Sequence, residues 1–251
     1  MSSSASTSSF DALLHTPPNT RYVAQEIRLF PSLDSTNSYI LEHGHAGLLV
    51  IADQQTAGRG RQQRPWHSAP GMGLWFTVCL DGLVQGLTFA AALALRDTLL
   101  PRCPVTLKWP NDILLDGKKI CGILVEHKHD RMALGIGLNV HQQAQDFPES
   151  LRDTAGSLES ITGDSWDRAS LLREIVEQLD HQIARLYHDD FEAVREEWAA
   201  ACNIIGQPIQ AGDVVGEVEA IDSIGALLVN TPTGTQRILS GEIELLHGES
   251  R

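Results

Sequence analysis

Residues 54–66 read QQTAGRGRQQRPW, and the residue types in that stretch suit the handling of an anion. Gly58 and Gly60 open backbone conformations closed to other residues, so main-chain N–H groups can approach a ligand closely. Arg59 and Arg61 alternate with them and can present planar donor forks to carboxylate or phosphate oxygens. Trp66 offers an apolar face on which a flat base could stack, or serves simply as a core anchor beside the loop. Such a loop suits an acyl phosphate or acyl-adenylate, whose charge must be neutralised and from which water must be kept. It is neither a Walker A sequence nor GxGxxG, so the usual nucleotide motifs do not apply.

A second stretch, KWPNDILLDGKKICGI at 108–123, carries a different chemistry. Pro110 ends helical options, and Asn111-Asp112 form a polar pair at a strand start. Across a hairpin, Lys119 returns toward the same end as Asp112. A lysine ammonium is a compact point charge that can stabilise oxyanion or phosphate charge in a transition state. Asp112 could hold Lys119 or bind Mg²⁺, whose hard character suits carboxylate oxygens. In an arbitrary hairpin, Lys118 and Lys119 would be ordinary surface residues.

The elements that must position these residues follow from pattern. Asp34 or Ser35 is an N-cap for a short helix ending at Gly44. LLVIAD (48–53) is an apolar run of strand length, followed by about twenty residues without periodicity, a length usual for functional or disordered loops. GLWFTVCL (73–80) reads as a buried strand and residues 87–100 as a helix apolar nearly all round. Residues 105–128 read as two strands joined by a hairpin with Asp116-Gly117 in a type I′ turn, and 132–140 as a further strand. Leu171, Leu172, Ile175, Val176, Leu179, Ile183 and Leu186 recur at helical spacing in a helix pair over 167–201. From Gly206 short strands and turns predict a small β unit, SH3-like in size and turn spacing.

The resulting expectation is an α+β chain in three parts. Residues 1–20 are a disordered Ser-rich tail, 21–203 a domain with a central mixed or antiparallel sheet, and 204–251 a small SH3-like β-barrel. No run approaches the ~18 apolar residues of a membrane span, and the N-terminus has neither basic nor apolar signal regions. Four cysteines without CxxC spacing fit reduced thiols in the cytoplasm. A net charge of −13 argues against a nucleic-acid binder. Within that acidic chain every lysine lies between Lys108 and Lys128, and Arg59, Arg61 and Arg64 cluster, which suits an anionic ligand or a solvated charge cluster.

Taken together, these segments resemble the biotin–protein ligase family. GRGRQQRPW is similar to its GRGRxGRxW loop, KWPNDILLDGKKICGILVE to its KWPND…K…GILVE block, Ser35-Thr36-Asn37 to its STN triplet, and GIGLN (135–139) to its GxGxN strand. The likeness runs in order over residues 28–140, and 206–246 matches the family's C-terminal domain. It implies a fold like that of class II aminoacyl-tRNA synthetases. The implied activity is formation of biotinyl-5′-AMP from biotin and Mg·ATP, then transfer to a lysine of a biotin carboxyl carrier protein, the biotinyl subunit of acetyl-CoA carboxylase.

By that likeness, Ser35, Thr36, Asn37 and Gln55 hold biotin at the closed end of the pocket. Gly58, Arg59 and Arg61 cover biotin and contact the valerate and phosphate, and Gly122 lets backbone pass close to the ligand. Trp66, Asn111 and Asn139 bind the nucleotide, Trp66 by stacking on adenine. Lys119 lies between carboxylate and α-phosphate, and Asp112 is a candidate base or metal ligand, so that Lys119, Arg59, Arg61 and Asp112 form the catalytic set. The exposed sheet is implied to pair with the carrier or with a second copy. About thirty residues precede the matched block, too few for a helix-turn-helix, so DNA binding and repression are not expected.

Two positions depart from the pattern. Gln63 stands where the family loop has glycine, which at positive φ costs roughly 1 kcal/mol, and Cys121 replaces the usual alanine before GILVE. Lipoate ligases and octanoyltransferases share the fold family but lack the GRGR loop and KWPND block. A biotin sensor without turnover is a different class, which ATP consumption separates from a ligase.

Overall fold

The computed structural model describes residues 10–239 and 241–246. Seven strands form the larger sheet: β1 (Glu26–Phe30), β2 (Leu48–Ala52), β3 (Gly73–Asp81), β4 (Val105–Lys108), β5 (Asp112–Leu115), β6 (Lys118–Lys128) and β7 (Arg131–Asn139). Their spatial order is β1-β2-β3-β7-β6-β5-β4. β1 and β2 are parallel and the other neighbours antiparallel, so the sheet is mixed.

Side-chain alternation divides this sheet into two unlike faces. Leu74, Phe76 and Val78 of β3, with Leu134, Ile136 and Leu138 of β7, join one continuous core with the helices α3 (Leu87–Leu99), α4 (Leu158–Thr162), α5 (Arg168–Tyr187) and α6 (Phe191–Cys202). Each such buried aliphatic side chain contributes about 1.5–3 kcal/mol. Ala90, Ala91, Ala92 and Ala94 are all buried, so α3 is apolar nearly all round because it lies between the sheet and α5. The helical repeat expected from Leu171 to Leu186 is the buried stripe of α5, which Asp167 caps by accepting from Ser170 N at 2.8 Å.

On the opposite face a single short helix, α2 (Thr36–His43), covers Leu48, Val50, Cys79 and Ala133 through Ile40. Of the two candidate caps, Ser35 accepts from Ser38 N, while the Asp34 carboxylate accepts the Ser35 N–H at 2.6 Å. The helix stops at Gly44 as expected, where a Cβ would meet Ile40 O at 2.6 Å. The remainder of this face is left to the 53–72 loop.

Two expectations need correcting. Part of the expected tail is folded: α1 (Asp11–His15) forms because Phe10 and Leu13 bury against α5, with Arg168 4.9 Å over the Phe10 ring. Asp180 then accepts the backbone N–H groups of Arg21, Tyr22 and Val23, which fixes the approach to β1. Residues 1–9 of the expected tail lie outside the described residues.

Residues 105–128 contain three strands rather than two. Pro110 has no N–H for the ladder, so the first strand breaks at Trp109 and β5 begins at Asp112. The Asp116-Gly117 turn has φ of 49° and 73°, as a type I′ hairpin requires.

The C-terminal unit is an antiparallel sheet of five strands in the order β11-β10-β9-β8-β12. These are β8 (Pro208–Ala211), β9 (Val214–Ile221), β10 (Leu227–Thr231), β11 (Gly234–Ile238) and β12 (Glu244–Leu245). This is the small antiparallel β unit expected from Gly206 onward. It is joined to the larger sheet through Trp109, which is buried and donates its indole N–H to Gly225 O at 3.0 Å.

Candidate functional site

The face of the large sheet opposite the α3–α5–α6 layer is built from small residues where it passes under the loop. Register pairs Gly122 of β6 with Gly137 of β7, and Gly135 with Thr77 of β3. Side chains from elsewhere fill the space those glycines leave. A Cβ on Gly135 would lie 2.1 Å from Asn37 Oδ1, one on Gly137 2.5 Å from Trp66 Nε1, and one on Gly122 2.9 Å from Trp66 Cζ3. Trp66 thus lies on the two central strands, edge-on to Trp75, with its indole N–H buried and unbonded.

At the α2 end a polar network closes the site. The Gln55 side-chain oxygen accepts from Thr36 N at 2.9 Å and Thr36 Oγ1 at 3.1 Å, while its amide nitrogen donates to Ser68 Oγ at 3.0 Å. Thr77 Oγ1 lies 2.7 Å from both Thr36 Oγ1 and Asn37 Oδ1. The structure brings Ser35, Thr36, Asn37 and Gln55 together, as the motif order implies. Thr77 and Ser68 were missed; a threonine alone in the apolar run GLWFTVCL was the available signal for the first.

The two loop arginines differ completely. Arg59 donates through Nε and Nη2 to Glu126 at 3.2 and 3.0 Å, and through Nη1 to Ser38 Oγ at 2.8 Å. Its planar fork is therefore occupied and is not open to a ligand in this structure. The Arg61 guanidinium has no ion pair or hydrogen bond among the described residues, and its partial burial pushes it below its ordinary value, with the Asp112 charge opposing. It lines a cavity of about 270 Å³ together with Pro110, Asn111, Ile123, Ile224 and Leu239. Glu126 was quoted in the GILVE motif but given no role.

Lys119 and Asp112 meet as one of their two sequence alternatives requires: Nζ is 2.7 Å from Oδ1. The ammonium also stands 5.4 Å from the Trp66 ring. Among the described residues no group of three His, Cys, Asp or Glu side chains could hold a metal, and the Asp112 carboxylate is engaged by Lys119. Cys121 beside them is fully buried, which pushes its thiol up.

The two asparagines are both held by backbone. Asn139 donates to Gly156 O at 2.9 Å and accepts from Gln142 Nε2 at 3.0 Å. The same Gly156 donates its N–H to Lys119 O at 3.0 Å, so one segment ties Asn139 to Lys119. Asn111 braces β6 instead, donating to Ile123 O at 2.8 Å. In the loop, Gln62 and Gln63 both take positive φ, 55° and 59°, so Gln63 does occupy the conformation in which glycine costs least.

The chain is similar to known proteins along most of its length. Residues 29–142 match the model of the biotin/lipoate A/B protein ligase family, and residues 204–246 match the biotin protein ligase C terminal domain. The biotin--[acetyl-CoA-carboxylase] ligase of Paracoccus denitrificans is 33% identical over 238 residues, 84% of this chain and 96% of that protein. The chain belongs to the biotin–protein ligase family. The bifunctional ligase/repressor BirA of Bacillus subtilis is 38% identical over 79% of this chain, which spans only 66% of that relative's length. The fold of this family member agrees as well. The biotin protein ligase of Aquifex aeolicus in complex with biotin and ATP superposes with a TM-score of 0.77 at 30% identity, covering 89% of this chain and 100% of that one. No described helix is long and apolar enough to cross a membrane.

Proposed function

We propose that the chain is an ATP-dependent biotin–protein ligase working through biotinyl-5′-AMP. A valerate oxygen of biotin attacks the α-phosphorus of Mg·ATP and pyrophosphate leaves. The neutral amine of a carrier lysine then attacks the acyl carbon, and AMP departs with the anhydride oxygen. Both reactants of the first step are anions, so the site must offset their repulsion and exclude water.

The observation that carries this reading is Arg61, a partly buried guanidinium with no side-chain partner among the described residues, which feels the charge of the same Asp112 that holds Lys119. A cation so placed is stabilised by an arriving anion. Lys119 is assigned to the charge that develops between carboxylate and phosphate, and its pairing with Asp112 keeps it oriented. Thr36, Asn37 and Gln55 hold the ureido end of biotin, with Asn139 at the adenine. Asn111 acts through the β6 backbone it braces. Magnesium enters with the triphosphate as part of the substrate, since that ion needs only one or two carboxylates besides phosphates.

The carrier is a biotin carboxyl carrier protein. The terminal strands of the large sheet, β1 and β4, offer backbone to which the carrier or a second copy would add. Four free cysteines fit a reducing cytoplasm. Pyrophosphate release from Mg·ATP, measured with biotin, lipoate, octanoate or no acid, tests the assignment. Biotin-dependent release, lost in Lys119→Ala, supports it. Release with lipoate or octanoate alone gives the right fold with the wrong substrate, and release with no acid at all rules the reading out.

A further inference from the structure

Gln142 is a buried polar side chain to which no step of the reaction gives a role. It lies three residues beyond Asn139, is 0% exposed, and donates from Nε2 to Asn139 Oδ1 at 3.0 Å. Its own Oε1 is buried without a hydrogen-bond partner among the described residues. An apolar side chain of the same length would fill this place without stranding an oxygen, so packing alone does not call for glutamine. What glutamine adds is the donor that meets Asn139.

That donor completes a clamp on the Asn139 amide. Gly156 O is a carbonyl and can only accept, so the group facing it is Nδ2, at 2.9 Å. Oδ1 is then turned toward Gln142, whose own oxygen would repel it if the glutamine amide were reversed. The clamp is anchored in turn, since Ser157 Oγ donates to Gln142 O at 2.7 Å and Gly156 N to Lys119 O at 3.0 Å. An amide that could present either end forward is held one way round.

Each end of that amide keeps a group in reserve, one N–H of Nδ2 and one lone pair of Oδ1. Adenine carries along one edge an amino donor at N6 and an acceptor at N7, the complement of that pair. A 6-oxopurine carries two acceptors there and would set its O6 against Oδ1. Alternation along β7 puts Asn139 on the same face as Gly135 and Gly137, and Trp66 lies on Gly137.

We propose that Gln142 is a positioning residue that sets the Asn139 amide to read adenine, so that preference for ATP over a 6-oxopurine triphosphate is decided from behind the base. The proposal deepens the ligase reading and rests on it for the place of Asn139 at the nucleotide.

Biotin-dependent pyrophosphate release, driven by ATP or by inosine triphosphate, measures the preference as a ratio of kcat/KM values. Gln142→Met keeps the length of the side chain and removes the donor, whereas Gln142→Asn keeps an amide one methylene too short to reach Asn139. Each should lower the ratio about tenfold and raise the ATP KM about tenfold, with kcat and the biotin KM within about threefold. The melting temperature of Gln142→Met should hold or rise, because the stranded oxygen goes with the amide. A ratio that stays at the wild-type value, or equal losses for the two nucleotides, overturns the role of Gln142. Asn139→Ala separates the two readings. A ratio lost there but kept in Gln142→Met overturns Gln142 alone, while a ratio kept in Asn139→Ala takes Asn139 off the base and the proposal with it. Calorimetric titration with the two nucleotides gives the ratio as dissociation constants, so protein that ignores biotin loses the ligase reading while base preference still decides Gln142.

Discussion

Lys119 and Asp112 face each other across the β5–β6 hairpin, Nζ 2.7 Å from Oδ1, with side chains 35% and 20% exposed. The backbone of Lys119 is in turn clamped to residues 154–156, through Thr154 O at 2.8 Å and Gly156 N at 3.0 Å. The ammonium is thus held from both its ends, which is what a fixed electrostatic stabiliser requires.

Removing that charge should act on the chemical step. Lys119→Ala is expected to lower kcat for biotin-dependent pyrophosphate release by about 10²–10³, the usual loss for one preorganised donor. Asp112→Asn leaves the ammonium in place and should cost about tenfold. A rapid-quench measurement of adenylate formation at saturating biotin and ATP separates this from weakened binding.

Gln63 holds φ at 59° without the freedom of glycine. Gln63→Gly should relieve roughly 1 kcal/mol of left-handed strain in the closed loop. The lifetime of biotinyl-5′-AMP on the enzyme, followed by its release in the absence of carrier, is expected to lengthen. An unchanged lifetime would show that loop closure does not control adenylate retention.

The glycines under Trp66 give an opposite prediction. Gly137→Ala places a methyl 2.5 Å from the Trp66 indole nitrogen, and the ring must move. The ATP KM should rise about tenfold while the fold persists, because one displaced ring costs stacking but not core burial. Tryptophan emission of the ligand-free protein should shift, since Trp66 also meets Trp75 edge-on.

Burial raises the thiols of Cys79 and Cys202 to about 11. The folded chain therefore keeps protons that the unfolded chain releases first, and the stability these thiols contribute is complete below pH ~9 and lost as pH rises through the folded values. Urea midpoints should fall between pH 9 and pH 11, from the ordinary thiol value of 9.0 to the raised one. The fall should be smaller in Cys79→Ala or Cys202→Ala than in wild type when each is referred to its own midpoint at pH 8, and iodoacetamide at that pH should label the native thiols far more slowly than the denatured ones.

Much of this protein can be read along the chain because the deciding interactions are local. The cap at Ser35, the stop at Gly44, the type I′ turn at Asp116-Gly117 and the apolar stripe of α5 each depend on residues within a few positions. The order of GRGR, KWPND and GIGLN was enough to identify the family, since spacing is a property of the sequence itself. The local rules failed where a distant partner intervened. Phe10 and Leu13 sit in a polar run and read as tail until α5 gives them a surface to bury against.

The division of labour between Arg59 and Arg61 is of the second kind. In sequence they are the same residue beside the same glycine. Only the sheet order, which sets β7 between β3 and β6, brings Glu126 to α2 and to the first arginine while the second has no side-chain partner among the described residues. Charge pairing falls off within a few ångströms, and distances of that size across strands are fixed by register and packing, not by position along the chain.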